Sequence, residues 1–100
     1  MSVNFEILKN MAQILDDNNF DSLWIPDHLF NAVGSGPSNF ASAEDFSKDA
    51  FESWTTLSAL SSITKKIKLS NIVTCNLFRH PSLLAKMAST LDNISNGRLI

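Results

Sequence analysis

Apolar positions along the chain keep two alternating rhythms. Between residues 4 and 18, Ile7, Leu8, Met11, Ile14 and Leu15 recur at the spacing of one helical face. Asn4 suits the N-cap, and Glu6 complements the positive end of the helix dipole. Asn18 and Asn19 can close the helix, because Asn tolerates the left-handed backbone. Leu23, Trp24 and Ile25 then form a short unbroken run of β-favouring residues bounded by turn formers, which predicts a buried parallel strand. Pro26 has no N–H to give a ladder and ends it.

Helical spacing returns from about Ala50 to Thr64 with Ala50, Trp54, Leu57, Leu60 and Ile63. Asp49 and Glu52 have the separation of a capping box, and Lys65 and Lys66 read as solvated charges at the negative end. A second strand is expected over about Ile67 to Thr74. Ile67 and Leu69 alternate with Lys68 and Ser70, and then the alternation fails at Asn71, Ile72 and Val73. Such a break marks either a bulge or a strand buried on both faces, and pattern alone favours the second. Pro81 opens a third helix with Leu84, Met87, Ala88, Leu91 and Ile94 on one side, closed by Asn96 and Gly97. Arg98, Leu99 and Ile100 begin another strand. Helix, strand, helix, strand, helix, strand is the order of an α/β fold with a parallel sheet and helical crossovers.

Residues 29–48 read as a long loop rich in turn formers from Gly34 to Asn39. Phe30, Phe40 and Phe46 are placed to tuck it down. A packed surface excursion and an active-site lid both fit. Gly34-Ser35-Gly36 is not a dinucleotide fingerprint, since it joins no strand to a helix and Pro37 interrupts it.

Composition narrows the choices. At 100 residues and 44% hydrophobic, the chain is one small domain at most, with apolar content enough for a core. A net charge of −2 without a basic stripe argues against nucleic acid and against an anionic membrane surface. Apolar runs are too short to cross a bilayer, and the N-terminus lacks the pattern of a signal peptide. One cysteine leaves neither an internal disulfide nor a thiolate zinc cluster, so a reducing cytoplasm is the expected compartment.

Chemistry concentrates after the first strand. Ligands of α/β folds lie at the carboxyl ends of the strands, where Asp27 and His28 stand. Imidazole titrates near neutrality and can take or give a proton, so His28 is the candidate acid/base group. The plainer reading makes His28 a hydrogen-bonded rim residue and Asp27 a turn or cap residue. His80, just before Pro81, reads as an N-cap, Arg79 as a solvated loop cation, and Cys75 as a packing residue without a base. The two histidines lack i, i+4 spacing, so no metal site is expected. Trp24 and Trp54 are assigned to the core.

Taken together, five stretches resemble the luciferase-like monooxygenase superfamily. They are Phe20 to Phe30 (FDSLWIPDHLF), Glu52 to Leu60, Ile67-Lys68-Leu69, Arg79 to Ala88 and Leu91 to Ile100. That superfamily includes bacterial luciferase, FMN-dependent monooxygenases and deazaflavin (coenzyme F-420) dependent oxidoreductases, and the wording here is nearest the deazaflavin branch. The resemblance implies a TIM barrel, of which residues 1–100 supply the first helix to the start of the fourth strand: a partial (β/α) barrel, incomplete at both ends. It implies a flavin-type oxidoreductase that passes a hydride between a deazaflavin, coenzyme F-420 being preferred, or FMN with oxygen, and a small organic substrate. Asp27 and His28 would lie by the cofactor ring, with His28 handling the proton. A bulge, often with a non-prolyl cis peptide, would fall at Asn71, Ile72 and Val73 behind the ring, which turns the period break into a bulge. Thr74 to Asn76 would edge the pocket, so the implied cofactor contacts are Asp27, His28, Asn71, Ile72, Val73, Thr74 and Asn76.

Departures narrow the substrate. Sugar-phosphate dehydrogenases of the family carry Trp four positions after the histidine, where this chain has Ala32, and the usual helix-ending glycine is Asn19. The family's later phosphate-binding segments are not in the chain. Implied partners are a small-molecule substrate and, in the complete protein, a second copy as a homodimer, with no nucleic acid and no membrane. The competing expectation is a truncated, non-catalytic piece that needs another chain to complete the barrel, because two sheet edges would be exposed. Tight flavin binding is not expected of the isolated chain. A purely helical binding module would require Leu23–Ile25 and Ile67–Thr74 not to be strands, against their β-branched content.

Overall fold

The computed structural model describes residues 4–29 and 51–100, so the expected loop beyond Leu29, its phenylalanines, Asp49 and Ala50 lie outside the described residues. Element order is α1 (Phe5–Asp17), β1 (Ser22–Ile25), α2 (Ser53–Ile63), β2 (Lys68–Asn71) and α3 (Pro81–Ser95). β1 and β2 pair in parallel, from Ser22 opposite Lys68 to Ile25 opposite Asn71. The Ile72 N–H carries the pairing one step further, to the Ile25 carbonyl at 3.0 Å. On the other edge of β2, Leu69 bridges Leu99 in parallel, with the Leu69 N–H 2.9 Å from the Arg98 carbonyl. A third parallel strand therefore begins after α3 and makes β2 central.

Local chemistry sets the helix ends. Asn4 Oδ1 accepts the Glu6 N–H at 3.0 Å, and Asn18 caps the other end before Asn19 turns left-handed at φ 58°. His80 caps α3 ahead of Pro81, and Asn96 and Gly97 reverse the chain at φ 57° and 78°. The start of α2 differs from expectation. Glu52 is itself the N-cap, its carboxylate accepting the Trp54 N–H at 3.2 Å and the Thr55 N–H at 2.7 Å. It is not the far member of a capping box.

The core lies between one face of the sheet and the helices. Leu57, Ile67, Leu69 and Leu91 are fully buried with Trp54, and Leu15, Leu23, Ile25, Leu84, Met87, Ala88 and Leu99 pack on them. Burying a leucine of this kind is worth about 1.5–3 kcal/mol. Trp24 points to the other face, is 48% exposed, and donates from Nε1 to Ser22 Oγ at 2.9 Å; among the described residues β1 is covered on one face only, so Trp24 lies outside the core they form. The second strand is also shorter than expected, ending at Asn71. Ile72 and Val73 are 56% and 77% exposed, so burial on both faces fails too. The Ile72–Val73 peptide is cis, at the point where the alternation breaks. On α1, Ile7, Met11 and Ile14 stand exposed while Ala12 and Asp16 are buried, and on α3 Ile94 is exposed while Ser95 is buried. The face a helix hides is the one its neighbours meet, and here that face is rotated from the apolar stripe.

Two charged side chains secure the amino end of the sheet. Asp16 accepts the N–H groups of Lys65, Lys66 and Ile67 at 2.8, 2.7 and 2.7 Å. Burial opposes its ionisation, but these three donors and the Lys66 charge outweigh it and hold the carboxyl below the usual aspartate range. Arg98 donates to the carbonyls of Ser61, Thr64, Ile67 and Ser95 at 2.7 to 3.0 Å, gathering the ends of α2 and α3 at the entrance of β2.

Candidate functional site

The carboxyl ends of β1 and β2 lie side by side, because the register sets Ile25 against Asn71. Two segments leave there, residues 26–29 from β1 and residues 72–79 from β2. Asp27 ties them together. Its side chain is 1% exposed, and its two oxygens accept four hydrogen bonds. Arg79 Nη1 donates to Oδ2 at 2.6 Å and Nη2 to Oδ1 at 2.8 Å. Ser53 Oγ donates to Oδ1 at 2.7 Å, and the Cys75 N–H donates to Oδ2 at 2.9 Å. Arg79 also donates to Glu52.

The electrostatics follow from this geometry. The Arg79 guanidinium outweighs burial and, with the Ser53 and Cys75 donors, holds the Asp27 carboxyl down at about 2. Asp27 in turn raises the Arg79 pKa against the opposing effect of burial. Burial works against ionisation of Glu52, but the donors of Thr55, Trp54 and Arg79 prevail and lower its pKa. Arg79 is thus a buried partner of two carboxylates and not the solvated cation expected from its place in a loop. No spacing in the sequence announces that pairing, since 52 residues separate Arg79 from Asp27.

Expected site residues divide into two groups. Asp27 and Asn71 turn inward. The Asn71 amide, oriented as its neighbours require, donates to the Ile25 carbonyl at 3.0 Å and Ser53 Oγ at 3.2 Å, and accepts from Trp54 Nε1 at 2.8 Å. His28, Ile72, Val73 and Asn76 are exposed, while Thr74 and Cys75 are half-buried. One rim thus carries an imidazole, two branched apolar side chains and small polar groups. Ser53, Glu52 and Arg79 are the neighbours of this carboxylate frame; the sequence pattern gave Glu52 and Arg79 other roles and did not single out Ser53. Among the described residues, no group of three or more His, Cys, Asp or Glu could hold a metal ion, and no helix is long and apolar enough to cross a membrane.

Comparison with known proteins gives these residues a context. The family model for luciferase-like monooxygenases matches residues 2–100. Pyrimidine monooxygenase RutA of Serratia proteamaculans is 32% identical over 94 residues, which cover 94% of this chain and 23% of that protein. The coenzyme F-420 dependent tetrahydromethanopterin reductase of Methanopyrus kandleri superposes with a TM-score of 0.72 at 27% identity, covering 99% of this chain and 23% of the reductase. The oxygenating constituent of 3,6-diketocamphane monooxygenase from Pseudomonas putida, solved in complex with FMN, shares the fold at a TM-score of 0.70 and 22% identity, covering 96% of this chain and 22% of that one. The chain spans about a quarter of the length of these proteins, and its architecture is the corresponding part of a TIM barrel.

Proposed function

This chain belongs to the luciferase-like monooxygenase family, and we propose that the protein it forms is a flavin-type oxidoreductase passing a hydride between a deazaflavin, or FMN with oxygen, and a small organic substrate. The observation that carries the reading is the rim at the carboxyl ends of β1 and β2. There an exposed imidazole, His28, follows the end of β1 and the exposed Ile72 and Val73 follow the end of β2, at the same end of a parallel α/β sheet, the place where such folds bind ligands. Coenzyme F-420 is preferred over FMN on the wording of the resembling stretches, and the 27% identity to the F-420 dependent reductase supports it.

Ile72 and Val73 would lie against the ring and exclude water from one side of it. Thr74 and Asn76 would bound it with a hydroxyl and an amide. His28 would accept or return the substrate's proton at an imidazole nitrogen. Asp27 stays ionised behind the rim and transfers no proton, since all its acceptor positions are taken. The bound cofactor supplies the hydride or oxygen chemistry, and the protein supplies placement.

A second reading is an interaction piece that completes a barrel with another chain. Among the described residues Trp24 is exposed on the sheet and Ile7, Met11 and Ile14 on α1, surfaces that either the remainder of one barrel or a second chain would cover. Titrating the full-length protein with coenzyme F-420 and with FMN, followed by fluorescence, separates the two. Micromolar or tighter binding of either supports the oxidoreductase. Absence of binding to both, together with association of the protein with a second chain, overturns it.

A further inference from the structure

Resting on that reading of the rim, we propose that Arg79 is a positioning residue of the site. Its guanidinium joins Asp27 and Glu52 into one frame that sets where His28 and the Ile72–Val73 segment stand.

Three elements converge on this frame. Asp27 leaves β1 one residue before His28. Glu52 and Ser53 open α2, and Cys75 and Arg79 belong to the segment after β2. The Asp27 and Arg79 side chains are 1% and 7% exposed, and that of Glu52 is 36% exposed. A buried ion pair adds little net stability over well-packed apolar groups, because desolvation offsets most of the attraction. Its distinctive property is direction. A planar fork meeting a carboxylate along two parallel bonds allows one relative orientation, which a lysine ammonium does not impose. Asp27 Oδ2 also holds the Cys75 N–H at 2.9 Å, so a displaced carboxylate releases the segment that carries Ile72 to Asn76.

The amino end of the sheet provides the contrast. Asp16 and Arg98 there hold backbone groups at helix ends, at the opposite end of β1 and β2 from His28 and Ile72–Val73. In barrel folds the carboxyl end carries the chemistry and the amino end carries stability. Arg79 and Arg98, similar in bonding, therefore differ in what they position.

The test uses the full-length protein with Arg79→Lys, Glu52→Gln and Arg98→Lys, each checked for folding by circular dichroism. One readout is taken without cofactor: the Cys75 amide and His28 ring resonances. The other is kcat and KM with coenzyme F-420 or FMN saturating. Arg79→Lys is expected to move both sets of resonances and to lower kcat by about tenfold or more with a smaller change in KM, since misplacement near 1 Å costs on the order of a hundredfold. Glu52→Gln keeps an acceptor for the α2 cap and gives a smaller change of the same sign. Arg98→Lys loses thermal stability and leaves both readouts at wild-type values. Unchanged resonances and kcat in folded Arg79→Lys overturn the proposal, as does an equal loss in Arg98→Lys at matched stability. If Arg79→Lys does not fold, Glu52→Gln decides by the same readouts. A wild-type protein without turnover on either cofactor removes the proposed function, while the cofactor-free resonances still decide on the frame.

Discussion

Asp27 and Arg79 meet fork to fork, with Nη1 2.6 Å from Oδ2 and Nη2 2.8 Å from Oδ1, across a separation of 52 residues. The pair is buried, and it connects the exit of β1 to the approach of α3. Arg79 supplies the one cationic partner Asp27 has among the described residues, beside the Ser53 and Cys75 donors.

Removing one side of it is therefore costly. Arg79→Met leaves an unpaired carboxylate in the interior and is expected to lower stability by about 3–5 kcal/mol. Urea unfolding monitored by circular dichroism measures this, and a loss under about 1 kcal/mol would show that water replaces the guanidinium.

Acid should act through the same carboxylate. The folded Asp27 pKa is depressed from 3.8 to about 2. The resulting stability is complete above the unfolded pKa and is lost as pH falls through the folded one. It amounts to about 2 kcal/mol, expended between roughly pH 4 and 2. Asp16 and Glu52, also lowered, add to the loss in the same direction. Unfolding free energies measured from pH 6 to 2 should show a shallower decline in Asp27→Asn than in the wild type. Identical slopes would assign the acid sensitivity to other groups.

Asp16→Asn tests the amino end. An amide can offer one oxygen but sets an NH2 group against backbone N–H donors that now meet two oxygens. The expected cost is about 1–3 kcal/mol, read from the urea midpoint. Cofactor affinity of the full-length protein should not change, because the contact lies at the far end of the strands from His28.

His28→Ala is expected to behave in the opposite way. The side chain is exposed, so the melting temperature should stay close to wild type. Turnover of the full-length enzyme should fall by about 10²–10⁴, the usual worth of a positioned acid/base group. Near-wild-type kcat in a cofactor-saturated assay would falsify the role given to His28.

Gly97 offers a small independent check. Its φ of 78° lies in the left-handed region, and nothing stands within 4 Å of where a Cβ would go. Gly97→Ala should cost about 1 kcal/mol through the backbone alone, seen as a modest drop in melting temperature.

Short-range features were readable from the residues. Asn4, His80-Pro81 and Asn96-Gly97 mark helix ends because a cap is made within a few residues of itself. Leu23 to Ile25 and Ile67 to Leu69 announced strands, and their alternation with helical stretches gave the parallel α/β order. Together with the five resembling stretches, this was enough for the family and the partial barrel.

Orientation was decided elsewhere. Whether Trp24 is core or exposed depends on which face of the sheet the helices cover, and the run Leu23-Trp24-Ile25 is equally apolar either way. Arg79 looked like a solvated cation because nothing near it in the chain is acidic; its partners Asp27 and Glu52 arrive only when parallel pairing aligns β1 with β2 and brings the start of α2 to the same end. Asp16 found three backbone donors about 50 residues away for the same reason. Residue patterns record propensity and period, which act over one or two turns. The pairing of distant charges, as between Asp27 and Arg79, is a property of closure, which acts across the whole fold.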